Sequence, residues 1–425
     1  MIKEIRNGIL YFDGCDTTAL AKKYGTPLYV MSETEIRGRF GELKKCFTEK
    51  YDKTRVAYAA KAFFPLAMAR LLMDEGVCVD VVSGGELYTA IKAGFPPEKI
   101  EFNGNNKSNA ELEMAIDYGI GRIIVDGLSE VSRIEAICKE KGKKAKILFR
   151  VTPGIDCHSH DYLVTAKIDS KFGIPMDEDV IYPQIKAAMD SPYVELMGFH
   201  FHVGSQIFEN TYHLLALGVV LSLVETAREK LGFETRELNL GGGFGAKYID
   251  EDRKSYEYFL EPMMKKIYDF FDDKGMERPS VVIEPGRSIV AEAGISLYTV
   301  GEIKDIKDVR KYVSVDGGMT DNIRPALYGA EYTAVAANKA EQERCETVTI
   351  CGKCCESGDI LIKDIKMQRL EAGDVLAMFS TGAYGYTMAS NYNKNPLAAV
   401  VMVSGGADRL IVKRQSYEDM IGSEL

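Results

Sequence analysis

The sequence predicts a TIM-type (β/α)8 barrel followed by a second, mostly β domain. Three observations predict it. Short apolar runs and amphipathic helical patterns alternate from about residue 55 to 290, and such alternation favours parallel strands joined by right-handed crossovers. Eight strand candidates fall within that span of roughly 230 residues, the size expected of such a barrel. Past residue 290 the texture changes to short β-type runs separated by Gly, Asp and Asn turns, with few long helical patterns.

Taken in order, the barrel strand candidates are 55–60, 77–82, 100–103, 122–125, 146–151, 196–203, 237–240 and 280–284. Helical patterns at 65–75, 86–93 and 212–231 fill gaps between them. A doubly wound open sheet satisfies the same alternation and is the competing topology. The later strand candidates are 296–302, 311–315, 346–350, 375–379 and 399–403, and a strand-like run at 8–13 precedes the barrel. The expected organisation is a barrel domain over 26–290 and a β domain over 291–425, joined by residues 1–25.

A chain of 425 residues, 46% of them hydrophobic, is long enough to bury a large core. The net charge of −10, with both signs mixed throughout, argues against nucleic acid or an anionic membrane as the main partner. An anionic small molecule stays open, because a few local arginines reverse the field inside a cleft. The opening Met1-Ile2-Lys3-Glu4-Ile5-Arg6 lacks the apolar region of an export signal. The longest apolar stretch, 214–224, is too short to span a bilayer and fits a buried helix. Nine scattered cysteines read as reduced thiols of a cytoplasmic protein.

Active sites of such barrels sit at the C-terminal ends of the strands, and unusual residues gather there. The first strand ends in Tyr58-Ala59-Ala60-Lys61-Ala62. A lysine closing an apolar strand is expected to be desolvated, which favours a nucleophilic amine able to form a Schiff base with pyridoxal phosphate. The bland alternative is a lysine snorkelling to solvent. The sixth strand ends in His200-Phe201-His202-Val203-Gly204-Ser205-Gln206, and period two puts both histidines on one face. With His158 and His160 this is also a metal pattern, but no carboxylate lies in the run, so metal is not expected.

The seventh strand runs into Gly241-Gly242-Gly243-Phe244-Gly245. Its amides can cradle a phosphate where barrels usually hold one; a flexible turn is the alternative. The eighth strand ends in Ile283-Glu284-Pro285-Gly286-Arg287. A buried acid needs a partner. That partner is either a pyridinium N–H, whose proton the carboxylate would hold so that the ring acts as an electron sink, or Arg287 in a structural ion pair.

Together, the strings around Lys61, His202-Val203-Gly204-Ser205, the three glycines and the run from Glu284 to Arg287 resemble the decarboxylase branch of the alanine-racemase-like pyridoxal enzymes. Later strings are similar to the diaminopimelate decarboxylase family: Asp316-Gly317-Gly318-Met319, Arg324-Pro325-Ala326-Leu327-Tyr328, Cys355-Glu356-Ser357-Gly358-Asp359 and Gly382-Ala383-Tyr384-Gly385. So are Ser170-Lys171-Phe172-Gly173 and the segment 388–393. Each string alone is weak; their joint occurrence in order is specific, and the resemblance covers nearly the whole chain.

The resemblance implies roles. Lys61 looks like the Schiff-base lysine, with Asp80 an acid close behind it. His202 resembles the histidine packed on the cofactor ring. Ser205, Gly241, Gly242, Gly243 and Gly286 look like cofactor contacts, the first four to its phosphate, and Glu284 like the ring-nitrogen partner. Arg287, Arg324 and Tyr328 resemble carboxylate binders, Cys355 the proton donor, Glu356 the contact to a distal amine, and Tyr384 a residue touching cofactor and substrate. One departure is Gly352-Lys353-Cys354-Cys355, where the family usually has Gly-Pro ahead of the reactive cysteine. Cys351, Cys354 and Cys355 can also be read as a zinc or redox cluster, though three thiols without a fourth ligand make a poor structural zinc site.

The reaction so implied is decarboxylation of meso-2,6-diaminopimelate to L-lysine and carbon dioxide, with pyridoxal 5′-phosphate, in a homodimer with shared active sites. Sister decarboxylases acting on ornithine, arginine, D-lysine or carboxynorspermidine are the nearest rivals; they differ at the substrate's distal end. A non-catalytic pyridoxal-phosphate carrier is the rival of another class, and such proteins can be a barrel alone.

Overall fold

The computed structural model describes residues 2–154 and 170–425. They form two compact units: Phe40–Gly245 with Arg253–Gly286, and Met1–Arg39 with Ala246–Asp252 and Arg287–Leu425.

The first unit is a closed barrel of eight parallel strands: Thr54–Ala59, Cys78–Val81, Ile100–Phe102, Arg122–Val125, Ala145–Arg150, Val194–His200, Glu237–Asn239 and Ser280–Ile283. Each coincides with an expected strand to within a few residues. Closure is explicit, because the eighth strand pairs with the first through Val281 and Thr54, which excludes the open doubly wound sheet. The intervening helices bury one stripe each. In Leu66–Glu75 the buried residues are Met68, Ala69, Leu71 and Leu72, the spacing of a single helical face. The long helix Thr211–Leu231 buries His213, Ala216, Leu217, Val220 and Val224, while Leu215 within its apolar run is exposed. Among the described residues no helix is long and apolar enough to cross a membrane.

The sixth and seventh strands approach unusually closely. A Cβ on Gly198 would lie 2.0 Å from the Glu237 carbonyl oxygen, and its φ of +153° is one that L side chains rarely adopt. Glycine is therefore required there, and the register shift between Leu196 and Gly198 turns the strand end inward. The hydrogen-bonded strand stops at His200, so His202 sits just beyond it.

The second unit carries a nine-stranded sheet and a three-stranded one. All five β runs expected after residue 290 are strands of the larger sheet, and the early run is Ile9–Phe12 in the smaller. Three further strands of the larger sheet, Ala334–Ala336, Ile360–Met367 and Ala407–Val412, and two of the smaller, Lys3–Arg6 and Cys15–Asp16, are not among the expected ones. Nor is Leu28–Ser32. It falls inside the span expected for the barrel, yet it pairs antiparallel with Gly294–Ile306 and parallel with Ala399–Ser404. The reason is burial on both faces: all five of its residues are buried, and Leu28 and Val30 join Ile295, Leu297 and Val401 in the core of this unit.

Candidate active site

Barrel interiors are ordinarily filled by branched apolar side chains. This one is polar along several strands. Glu101 leads inward to Asn103, and Glu237 to Asn239, in each case two residues apart and so on the same face. All four are buried.

These residues converge on Glu284. Its Oε1 accepts from the Nδ2 amides of Asn103 (2.9 Å) and Asn239 (2.8 Å), and its Oε2 lies 2.9 Å from His200 Nε2. A carboxylate offers about four acceptor sites; three are used here, and one remains for a further donor. Burial alone would raise this carboxyl. The charge and hydrogen bond of His200, with the hydrogen bond from Asn103, outweigh it and hold Glu284 at about 2. Asp80 behaves oppositely. Asn103 Nδ2 also donates to Asp80 Oδ1 at 2.7 Å, but burial, and then the charge of Glu284, push Asp80 well above the usual carboxylate range. Of the two acids bridged by Asn103, Glu284 therefore keeps the negative charge and Asp80 the proton. The titratable and charged neighbours of Glu284 are Asp80, Glu101, Arg150, His200 and His202. Arg287 donates from Nη1 to the Tyr248 hydroxyl at 2.8 Å.

Lys61 departs from expectation in one respect. It is exposed, not desolvated, because the first strand passes into a single turn of 3-10 helix, Ala60–Ala62, in which the two alanines are buried and the lysine is not. Its charge still acts on Asp80, Glu86 and His202. Gly286 packs beside it: a Cβ there would meet Ala59 Cβ at 3.0 Å and Ala62 Cβ at 3.3 Å. His202 is held well below its ordinary pKa by desolvation and then by the Lys61 charge, so its ring is neutral. Its Nδ1 accepts from Gly242 N at 3.1 Å, which puts the proton on Nε2.

The glycine run is wedged between neighbouring backbones. A Cβ on Gly241, Gly242 or Gly243 would come within 2.5 Å of Phe201, Glu284 or Gly204 carbonyl oxygens respectively. Two of the three amides are already committed, Gly241 N to Asn239 Oδ1 (3.0 Å) and Gly242 N to His202. Ser205 is half-buried in the turn after the sixth strand. That turn is tied to the glycine run by Ile207 N to Gly243 O (2.9 Å) and Gly245 N to Ile207 O (3.0 Å). The string Ser170–Gly173 also has a place: Arg150 lies 4.4 Å over the Phe172 ring, and Gly173 N donates to Asp126 Oδ1 at 2.8 Å. His158 and His160 lie outside the described residues.

The second unit holds another cluster. Arg287 and Arg324 are both buried. Arg287 lies 4.7 Å over the ring of Tyr384; Arg324 lies 4.8 Å over that of Tyr248 and donates to the Tyr332 hydroxyl. Tyr248 and Tyr332 meet edge to face at 5.3 Å. Among the described residues no acidic side chain pairs with Arg324. The buried Arg324 charge is therefore met by tyrosines and not by a carboxylate among the described residues. Tyr384 sits at φ +59°, a conformation uncommon for a bulky side chain and one that clusters at functional sites. Tyr328 is half-buried and closes the short helix Arg324–Tyr328.

Cys355 and Glu356 are exposed on the loop between strands Glu346–Cys351 and Ile360–Met367. Asp359 fixes this loop, accepting from Cys354 N (2.8 Å) and Met319 N (2.6 Å), and Cys355 N donates to Asn393 Oδ1 at 2.8 Å. The extra thiol, Cys354, is buried and pushed up to about 11 by burial and the nearby Asp359, so it is an inert packing group beside an accessible one. Among the described residues no group of three His, Cys, Asp or Glu is arranged to hold a metal ion.

The barrel site suits a pyridoxal group: a charged, three-donor carboxylate with one free lone pair, a neutral flat imidazole, a lysine at the strand end, and a glycine run packed against both. Reading the sequence missed Asn103, Asn239, His200 as the Glu284 partner, Tyr248 and Tyr332. For the asparagines a signal existed, namely polar residues at period two at the ends of barrel strands; for the two tyrosines none did.

Fold and site together define a pyridoxal-phosphate-dependent decarboxylase of the barrel type. Consistent with this, the family model described as "Pyridoxal-dependent decarboxylase, pyridoxal binding domain" matches residues 33–291. The diaminopimelate decarboxylase of Bacillus methanolicus is 49% identical, covering 96% of this chain and 95% of its own. That of Bacillus subtilis (strain 168) is 46% identical, covering 100% and 97%. A crystal structure of diaminopimelate decarboxylase from M. jannaschii in complex with L-lysine is 37% identical, with a TM-score of 0.94 over 100% of this chain and 97% of that one. The chain belongs to the diaminopimelate decarboxylase family.

Proposed function

We propose that the chain releases carbon dioxide from meso-2,6-diaminopimelate and yields L-lysine, as a step of lysine biosynthesis in the cytoplasm. The observation that carries this reading is the pair of buried arginines, Arg287 and Arg324, held by tyrosines, with no acid paired to Arg324 among the described residues. The substrate carries two carboxylates, and the M. jannaschii relative was crystallised with L-lysine.

In this reading the barrel is the cofactor-binding domain and the β unit carries substrate-binding and proton-donating groups. Bound pyridoxal phosphate supplies the electron sink that makes loss of carbon dioxide feasible. Lys61, at the end of the first strand, is the residue that would hold the cofactor covalently. Glu284 keeps a proton on the ring nitrogen, using its remaining acceptor site, and Asp80 behind it stays protonated and adds no second charge. His202 packs neutral against the ring. Ser205 and the glycine run hold the phosphate; because Gly241 and Gly242 amides are committed within the protein, Gly243 is the member of the run free to serve it. Arg287, Arg324 and Tyr328 orient carboxylates, Glu356 takes the distal ammonium, Tyr384 lines both cofactor and substrate, and Cys355 delivers the proton to Cα. The assembly is a homodimer, in which exposed Cys355 and Glu356 of one protomer complete the site around Lys61 of its partner.

The deciding experiment is carbon dioxide release by purified holoenzyme from diaminopimelate, ornithine, arginine, D-lysine and carboxynorspermidine. Diaminopimelate should be preferred strongly; faster release from any of the others would overturn the assignment. Arg324→Met should then raise KM for diaminopimelate by about one to two orders of magnitude, the worth of a lost charged hydrogen bond, and narrow the preference over substrates lacking the distal carboxylate. An unchanged substrate profile would remove Arg324 from that role. Glu284→Gln should bind cofactor yet turn over at least about tenfold more slowly, since a neutral amide holds the ring proton less well; turnover near the parent's would reject the ring-nitrogen role.

A further inference from the structure

Asn239 is wholly buried, and both polar atoms of its side chain are engaged. Its Nδ2 donates to Glu284 Oε1 (2.8 Å) and to Glu101 Oε2 (3.0 Å); its Oδ1 accepts from Gly241 N (3.0 Å); its backbone oxygen accepts from Phe201 N (3.0 Å). The amide orientation follows from these partners. Turned over, the oxygen would face the Glu284 carboxylate and the NH2 would face the Gly241 N–H, so both of those contacts would be repulsive. Glu101 cannot swing away, because Arg55 holds its other oxygen at 3.4 Å and Asn239 holds this one. The side chain thus stands on a fixed base and presents one hydrogen to Glu284 and one lone pair to the first residue of the glycine run.

We propose that Asn239 is a positioning residue that locks the carboxylate serving the cofactor's ring nitrogen and the glycine run serving its phosphate into one rigid unit, so that both ends of the cofactor are set by a single side chain. The inference rests on the roles proposed above for Glu284 and the glycine run, and it adds a specific consequence: disturbing Asn239 moves both ends together, whereas disturbing Glu284 moves one. An acid that has lost one of its donors is more basic and less well aimed, and both changes draw the proton off the ring nitrogen.

The test uses full-length holoenzyme loaded with pyridoxal phosphate labelled with 15N in the ring, comparing the parent with Asn239→Ser, Asn239→Leu and Glu284→Gln. Two spectroscopic readouts are followed against pH: the ring-nitrogen 15N signal, which reports protonation, and the 31P signal of the bound phosphate. Asn239→Leu keeps the volume without the polar groups, and Asn239→Ser is the milder change should the leucine variant not fold. Both Asn239 variants should lower the ring-nitrogen midpoint by about one to two pH units, shift the 31P signal, and reduce kcat by about 10–10²-fold with KM nearly unchanged, the effect of a small misplacement. Glu284→Gln should move the 15N signal and leave the 31P signal in place. A folded Asn239 variant with the parent's 15N midpoint overturns the proposal, as does a 15N shift without any 31P change. If Glu284→Gln itself leaves the 15N midpoint unmoved, the ring-nitrogen reading of Glu284 fails first, and the role of Asn239 falls with it.

Discussion

Lys61→Ala should leave a folded protein that no longer holds its cofactor covalently and has lost turnover by at least about 10²–10⁴-fold, the scale of a missing positioned proton-transfer group alone. Loss of covalent attachment adds to that. The expectation follows from where the chain puts this lysine. It lies two residues past the strand Thr54–Ala59, in a turn whose flanking alanines are buried, and its charge is felt by Asp80, Glu86 and His202. Because the side chain is exposed, its removal takes away little packing, so stability should hold. The measurement is borohydride reduction of the holoenzyme followed by peptide mass spectrometry. The parent should carry the reduced cofactor on the peptide containing Lys61, and the variant should carry none. A modified peptide elsewhere, or a variant that keeps the visible absorbance and activity, would show that another lysine does this work.

The architecture was legible because each barrel strand is a short apolar run and each linking helix has its own period. Tertiary partners were less so. The strand Leu28–Ser32 is not among the expected strands; its apolar composition suits one, but composition does not say which sheet buries it, and it belongs to the β unit. The ends of the strands announced Lys61, His202, the glycines and Glu284 because those residue types are unusual there. The groups that set the charge of Glu284 were harder to see. Ile100–Phe102 and Glu237–Asn239 are only three residues long, so the pairs Glu101/Asn103 and Glu237/Asn239 stand out little, and neither asparagine is singled out although the expected strands 100–103 and 237–240 contain both. Period two puts His200 on one face with His202, yet the structure gives each a different partner, Glu284 for one and Gly242 for the other. Tyr248 and Tyr332 are invisible to such reading altogether. Their importance comes only from the two guanidiniums that the fold lays against them.

The same separation of barrel and β-unit residues leads to the assembly experiment. Two individually dead variants, Lys61→Ala and Cys355→Ala, should restore activity when mixed. Cys355 is exposed on a loop clamped by Asp359 and Asn393, so the alanine change removes a thiol without disturbing a core, and the loss of proton delivery should cost roughly 10²–10⁴-fold. In a two-fold dimer the interface is reciprocal. If each site takes Lys61 from one protomer and Cys355 from its partner, a mixed dimer collects both lesions in one site and leaves the other intact. Random reassortment of equal amounts makes about half of the dimers mixed, hence about a quarter of all sites complete. Co-expression with two different tags and sequential affinity purification isolates the mixed species, which should have about half the parent's activity per dimer. A site built within one protomer makes the opposite forecast: every site in the mixture keeps one lesion, and activity cannot return. Mixed dimers recovered through both tags and still inactive would therefore refute the shared site while leaving the reaction assignment standing, since that is tested by the substrate panel on the unmutated enzyme.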